Sequence, residues 1–195
     1  MEKIGYIKKN ELVLNNGINH ISQLHNTTIR YGYRSCIEER LDVIQPVCAG
    51  VILTQDEKIL TFKKHAKATS QNSPERNKTL LYIGGHIDLE DSQQTNEQTF
   101  INGLKREIIE ELGIEISDKA ISQPVVTYTP STDKSAKHFG IIYPVFIEKA
   151  TDFNFSDGNC QFVSIDALAN IQGLEGWSQL ILSMLLRNKT LEIID

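Results

Sequence analysis

A chain of 195 residues with 40% hydrophobic and 23% charged residues, and no enrichment in Gly or Pro, has the apolar material for one buried core and is neither disordered nor fibrous in composition. Its net charge of −5, with acidic and basic residues interspersed, offers no broad electropositive face, which disfavours a polymeric nucleic acid or an anionic membrane as partner. The N-terminus lacks a signal-peptide layout, no apolar run approaches the ~18 residues that span a bilayer, and Cys36, Cys48 and Cys160 have no CxxC spacing, so a cytoplasmic protein with reduced thiols is expected.

Residues 1–44 read as an N-terminal extension, and 45–195 as the main domain. In the extension, Ile4-Gly5-Tyr6-Ile7 and Leu12-Val13-Leu14 suggest a hairpin, followed by a polar, Asn-rich stretch. The nearly continuous apolar run Pro46 to Leu53 predicts a central strand buried on both faces, turning at Gln55-Asp56-Glu57 into a second strand, Lys58 to Lys63. Residues 64–79 are polar and form a loop. Leu80-Leu81-Tyr82-Ile83 predicts another strand, stopped by Gly84-Gly85.

From Thr95 to Leu112 the apolar residues Ile101, Leu104, Ile108 and Leu112 recur at helical spacing, and Gly113 stands where a helix C-cap belongs. Strands follow at Val125 to Tyr128, Phe139 to Ile147 and Gln161 to Ile165, then an amphipathic helix from Gly176 to Leu186. This order predicts an α+β fold with a mixed-sheet sandwich.

The chemistry is concentrated on the 95–112 helix. Glu107, Glu110 and Glu111 stand at i, i+3 and i+4, so all three carboxylates share one flank beside the apolar stripe. Such pairs cost a few tenths of a kcal/mol each, about 0.2–0.5, and Glu111 also lies near the helix C-terminus, where the macrodipole disfavours anions. A solvated acidic face is the commoner outcome for such a pattern, but Gly103 lies on the same flank at a cost of roughly 1 kcal/mol, as if to let another backbone approach. Gly84-Gly85 ends the preceding strand, and a glycine carbonyl left unpaired there is a hard donor suited to magnesium beside carboxylates.

The segment Arg106-Glu107-Ile108-Ile109-Glu110-Glu111-Leu112-Gly113-Ile114 resembles the end of the Nudix box, and Gly84-Gly85 resembles the glycine pair that opens it. The resemblance covers about residues 45–165 and implies a Nudix-like α/β/α sandwich with a mixed sheet and a short N-terminal extension. It also implies Mg²⁺, with Mn²⁺ as a substitute, held by Glu107, Glu110, Glu111 and the carbonyl of Gly84. Arg106 then orients Glu107. A late-loop acid serves as extra ligand or base, Asp157 being the first candidate and Asp152 the second. Lys63, Lys64 and His86 are candidates for substrate phosphates.

This sequence departs from the pattern in three ways. The stretch between Gly85 and Arg106 is lengthened, Gln98 stands where an early glutamate is expected, and Ile83 replaces a proline. Asp91 or Glu97 could supply the missing carboxylate from residues 86–97, a segment expected to lack a core of its own and to be ordered by a bound cation. The Gly-Gly-His start is similar to a subgroup of MutT-like predicted phosphoesterases.

The resemblance implies hydrolysis of a diphosphate bond in a nucleoside diphosphate linked to another group, by attack of water on phosphorus. The expected partner is a small-molecule nucleotide, with a homodimer left open. The alternatives are a silent Nudix-fold module that binds a nucleotide and, last, an isoprenoid-diphosphate isomerase, for which no cysteine has a catalytic setting.

Overall fold

Residues 2–64, 73, 75–149, 160–168 and 170–192 are described by the structure, a computed structural model, with side chains as far as 187. The N-terminal segment contributes β1 (Lys3–Lys8), β2 (Gly17–Asn19), β3 (Arg30–Tyr33) and the short helix α1 (Arg34–Glu39). β1 pairs antiparallel with β3, not with the Leu12-Leu14 stretch, so the expected hairpin is replaced by a longer-range pairing. Leu12 and Leu14 pack against the core instead, which satisfies their side chains without a ladder.

The apolar run becomes β4 (Val43–Thr54), and all twelve of its residues are buried. It can be apolar on both faces because both are covered. Cys48 and Ile52 face one core with Leu104 and Ile108, whereas Val47, Ala49, Val51 and Leu53 face a second core with Trp177 and Ile181. β5 (Lys58–Lys63) returns antiparallel through a turn in which Glu57 takes φ 55°, and it pairs outward with β10 (Cys160–Ser164).

The predicted strand at 80–83 is broken in two. β6 (Thr79–Leu80) pairs with β5, whereas β7 (Ile83–His86) pairs with β4. The glycine pair therefore lies inside β7 and does not end a strand. The helix α2 (Asn96–Leu112) keeps its expected ends: the Thr95 side chain accepts from the Gln98 amide, and Gly113 closes it at φ 69° with its N–H on the Ile109 carbonyl.

β8 (Val125–Tyr128) and β9 (His138–Ile147) complete the sheet, with β9 parallel to β4 over ten residue pairs. The main path is β10-β5-β4-β9-β8-β2, a mixed and open sheet. α2 covers one face, while α3 (Ile165–Leu168) and α4 (Gly176–Glu192) lie on the other. The architecture is thus the expected α+β sandwich of three layers.

Candidate functional site

A cavity of about 480 Å³ opens where the β7 strand meets the acidic flank of α2. Gly84, Gly85, Arg106, Glu107, Glu110 and Glu111 form its central wall. Each glycine has a steric reason. A Cβ on Gly84 would run into the β4 backbone at Cys48 and Ala49, and one on Gly85 would occupy the place of the Glu107 carboxylate. The pair lets β7 lie close to β4 and lets Glu107 seat directly on β7.

Arg106 organises the acids. Its Nη1 donates to Glu107 Oε1 at 2.8 Å and to Glu110 Oε2 at 3.2 Å, and its Nη2 donates to the His86 carbonyl at 2.7 Å. Carbonyls two residues apart on a strand point the same way, so the Gly84 carbonyl faces the same open edge of β7 as that of His86. This is consistent with a donor role for Gly84, reached from within a strand and not at its end.

The remaining guanidinium bonds go to Asp91, from Nε at 3.1 Å and Nη2 at 3.0 Å. Asp91 is 4% exposed and also accepts from the Asp88 amide at 2.8 Å. Its Oδ2 lies 3.2 Å from where a Cβ on Gly103 would be. Gly103 therefore makes room for a carboxylate, not for a backbone. Within residues 86–97, Asp91 and the fully buried Ile87 are tied into the fold. Asp91 is committed to Arg106, Glu97 is exposed, and Gln98 sits at the cap of α2, with its amide on Thr95. The place of the early glutamate is thus taken by a residue in the first turn of α2, outside the cavity lining.

Burial raises Glu107 to a pKa of about 6 despite Arg106, with Glu111 and Glu110 pushing the same way. Burial also raises Glu111, opposed by Lys64, whose Nζ stands 3.5 Å from Glu111 Oε1. The three carboxylates are hard oxygen donors and so suit a divalent cation such as Mg²⁺ or Mn²⁺ by chemistry. Arg106 and Lys64 now engage them, and among the described residues no three His, Cys, Asp or Glu side chains close on a common point.

Of the phosphate candidates, Lys64 and His86 line the cavity, whereas Lys63 is exposed and outside its lining. Burial lowers His86 to a pKa of about 3, with His138 next in effect, so its imidazole is neutral near pH 7. The two rings meet edge to face at 5.3 Å. Asp152 and Asp157 lie outside the described residues.

Ser73 and Glu75, and on the other side Thr129, Lys134 and Ser135, also line the cavity. Tyr82 belongs to the second core and also lines the cavity, whereas Phe139 and Tyr143 lie in the first core and Tyr128 packs against it. Glu2 and Arg34 from the N-terminal segment, and Glu175 and Trp177 from the start of α4, also line it. No motif marks these four. The one available signal was an acid directly before a helix, at Glu175.

No family profile and no curated protein matches the sequence. Solved structures do. Tm1382, a protein assigned to the Nudix hydrolases, superposes with a TM-score of 0.73 at 22% identity, covering 95% of this chain and 99% of its own. A mutT/nudix family protein from Listeria innocua matches with a TM-score of 0.56 at 16% identity, over 77% of this chain and 96% of that one. A bifunctional NMN adenylyltransferase/ADP ribose pyrophosphatase from Francisella tularensis matches with a TM-score of 0.57 at 13% identity, over 79% of this chain but 44% of that protein. The same enzyme is also known as a complex with AMP and a Mn ion. With the architecture of Tm1382 along nearly its whole length, the chain has the Nudix hydrolase fold.

Proposed function

We propose that the protein is a Nudix-type pyrophosphohydrolase that cleaves the diphosphate bond of a nucleoside diphosphate linked to another group, with water attacking phosphorus and Mg²⁺, or Mn²⁺, as cofactor. The observation that carries this reading is the seating of Glu107 on Gly85, held by Arg106 beside Glu110 and Glu111 in the cavity wall. The mutual repulsion of three carboxylates on one helix flank is otherwise a cost without a return.

In this reading Glu107, Glu110, Glu111 and the Gly84 carbonyl hold the metal. When bound, the ion neutralises diphosphate charge and acidifies or positions a water for in-line attack. Arg106 fixes the Glu107 carboxylate by a charge-assisted bond and touches no substrate. Lys64, now 3.5 Å from Glu111, lines the cavity where it would meet a substrate phosphate. His86, being neutral, contributes a hydrogen bond and not a charge. Asp157 supplies the extra ligand or base.

The test is a panel of dinucleotides, nucleotide sugars and ADP-ribose incubated with Mg²⁺, read as release of nucleoside monophosphate. Turnover of at least one member is expected. Binding of a member without turnover, in the presence of either Mg²⁺ or Mn²⁺, would instead make the protein a nucleotide-binding module.

A further inference from the structure

One part of the cavity floor is a face of the sheet, marked by Val47. Residues directly opposite each other on neighbouring strands project from the same face. On β7, His86 lies opposite Val47, and on β9, His138 lies opposite Gln45. Val47 and Gln45 are two residues apart on β4, so His86, Gln45 and His138 project from this one face, with the histidines flanking β4. Both imidazoles line the cavity, and they meet edge to face with centroids 5.3 Å apart.

The polar atoms of this trio are unspent. His86 Nε2 is buried without a hydrogen-bond partner, and so are Oε1 and Nε2 of Gln45, a residue with 0% exposure. Native interiors leave few such atoms, and a bound ion is one of the recurring reasons for them. His138 adds a fixed tautomer. Its Nδ1 lies 2.8 Å from the Lys134 carbonyl, which only accepts, so Nδ1 carries a proton and the neutral ring keeps its lone pair on Nε2. A ring whose other N–H is held by a backbone carbonyl is the usual arrangement of a metal-bound histidine.

The spacing fits one shared ion. With N–metal bonds of about 2.0–2.1 Å and a tetrahedral angle, two imidazole centroids on one ion stand about 5 Å apart. Imidazole nitrogen suits Zn²⁺, Cu²⁺ and Ni²⁺, whereas carboxylate and carbonyl oxygens suit Mg²⁺ and Mn²⁺, so the trio and the acidic flank of α2 select different ions. Arg34, in the same lining, has its charge offset by Glu2 and Glu38.

We propose that His86, His138 and the Gln45 amide oxygen form a metal site for a borderline transition-metal ion such as Zn²⁺, separate from the acidic flank. It does not depend on the proposed hydrolysis, and no turnover is needed to test it.

The test is calorimetric titration of the full chain with Zn²⁺ in saturating Mg²⁺, which occupies the carboxylates. Binding of Zn²⁺ is expected to shift the ring signals of His86 and His138 together in NMR spectra. Loss of even an outer-shell partner costs a metal site about 10–100-fold in affinity, so His86→Ala, His138→Ala and Gln45→Met should each weaken Zn²⁺ at least about tenfold. Glu110→Gln should leave Zn²⁺ affinity unchanged. Gln45→Met should also hold or raise the melting temperature of the metal-free protein, because unmet polar atoms leave the interior.

Wild-type Zn²⁺ affinity in His138→Ala or Gln45→Met, displacement of Zn²⁺ by Mg²⁺, or loss of binding in Glu110→Gln would each overturn the site. A lowered melting temperature for metal-free Gln45→Met would do the same, since the amide would then be satisfied within the fold. If His86→Ala fails to fold, His138→Ala decides, because His138 stands at the first position of β9.

Discussion

At the scale of single residues, the acidic flank divides into groups that serve the cavity and groups that serve the fold. Glu110, with its side chain 57% exposed, has little structural duty. Glu110→Gln is expected to lower kcat by several orders of magnitude with the melting temperature unchanged or raised, because a repelling charge leaves the helix. Unchanged turnover in the purified variant would reject its metal role. Asp91 is the opposite case. Asp91→Asn strips the buried end of Arg106 of its partner and is expected to cost about 3–5 kcal/mol in a denaturant melt, the usual result of breaking one side of a buried pair. A variant that keeps full stability but loses metal affinity would show Asp91 to be a ligand after all. Asp157→Asn should lower kcat at least about tenfold, as loss of a general base does, with Asp152→Asn near neutral. The reverse ranking transfers the role to Asp152. Spacing drew attention to Glu107, Glu110 and Glu111, and the likeness to the Nudix box added Arg106. Neither could mark the true neighbour of Gly103, because which carboxylate fills a missing side chain depends on how a distant segment folds back.

At the scale of elements, the helix ends and the central strand were legible, because caps and hydrophobic period act locally: Thr95, Gly113 and the run at 46–53 needed no tertiary information. β7 was not, since Gly84 and Gly85 look like strand breakers until β4 and Glu107 are seen to need the space. The same competition makes Gly103 informative. Alanine is the better helix former by about 1 kcal/mol, yet its Cβ would crowd an Asp91 carboxylate that Arg106 and the Asp88 amide prevent from yielding. Gly103→Ala is therefore expected to lower the melting temperature, and a rise would show that the Asp91 contact is slack. At the start of α4, burial raises the Glu175 pKa above its ordinary value. A raised carboxyl favours its protonated form in the folded state, so its share of stability is full below the unfolded pKa and is lost as pH rises through the folded one. Glu175→Gln, which resembles the protonated acid, should match the wild type near pH 4 and gain on it towards pH 8 in thermal melts. A difference that stays constant with pH would mean that Glu175 is not desolvated.

At the scale of the whole molecule, the N-terminal segment is wired into the main domain. The Gly5 amide donates to the Ile87 carbonyl at 2.7 Å, and Ile4, Ile7 and Leu24 are buried. Removing residues 1–33 should abolish a cooperative melt. A truncated chain that melts as sharply as the full one would show the main domain to be self-sufficient. Among the described residues no helix is long and apolar enough to cross a membrane. The ten-pair parallel ladder between β4 and β9 has a consequence for how the chain is made. Its two strands are separated by about ninety residues, so a large loop-closure entropy precedes any reward, and folding dominated by such contacts takes milliseconds to seconds. A ribosome adding ~5–20 residues per second leaves β4, apolar on both faces, without its partner for several seconds. The nascent chain thus exposes its stickiest strand early and covers it late, and its yield in a cell should depend on chaperones that hold the interval between residues 54 and 147.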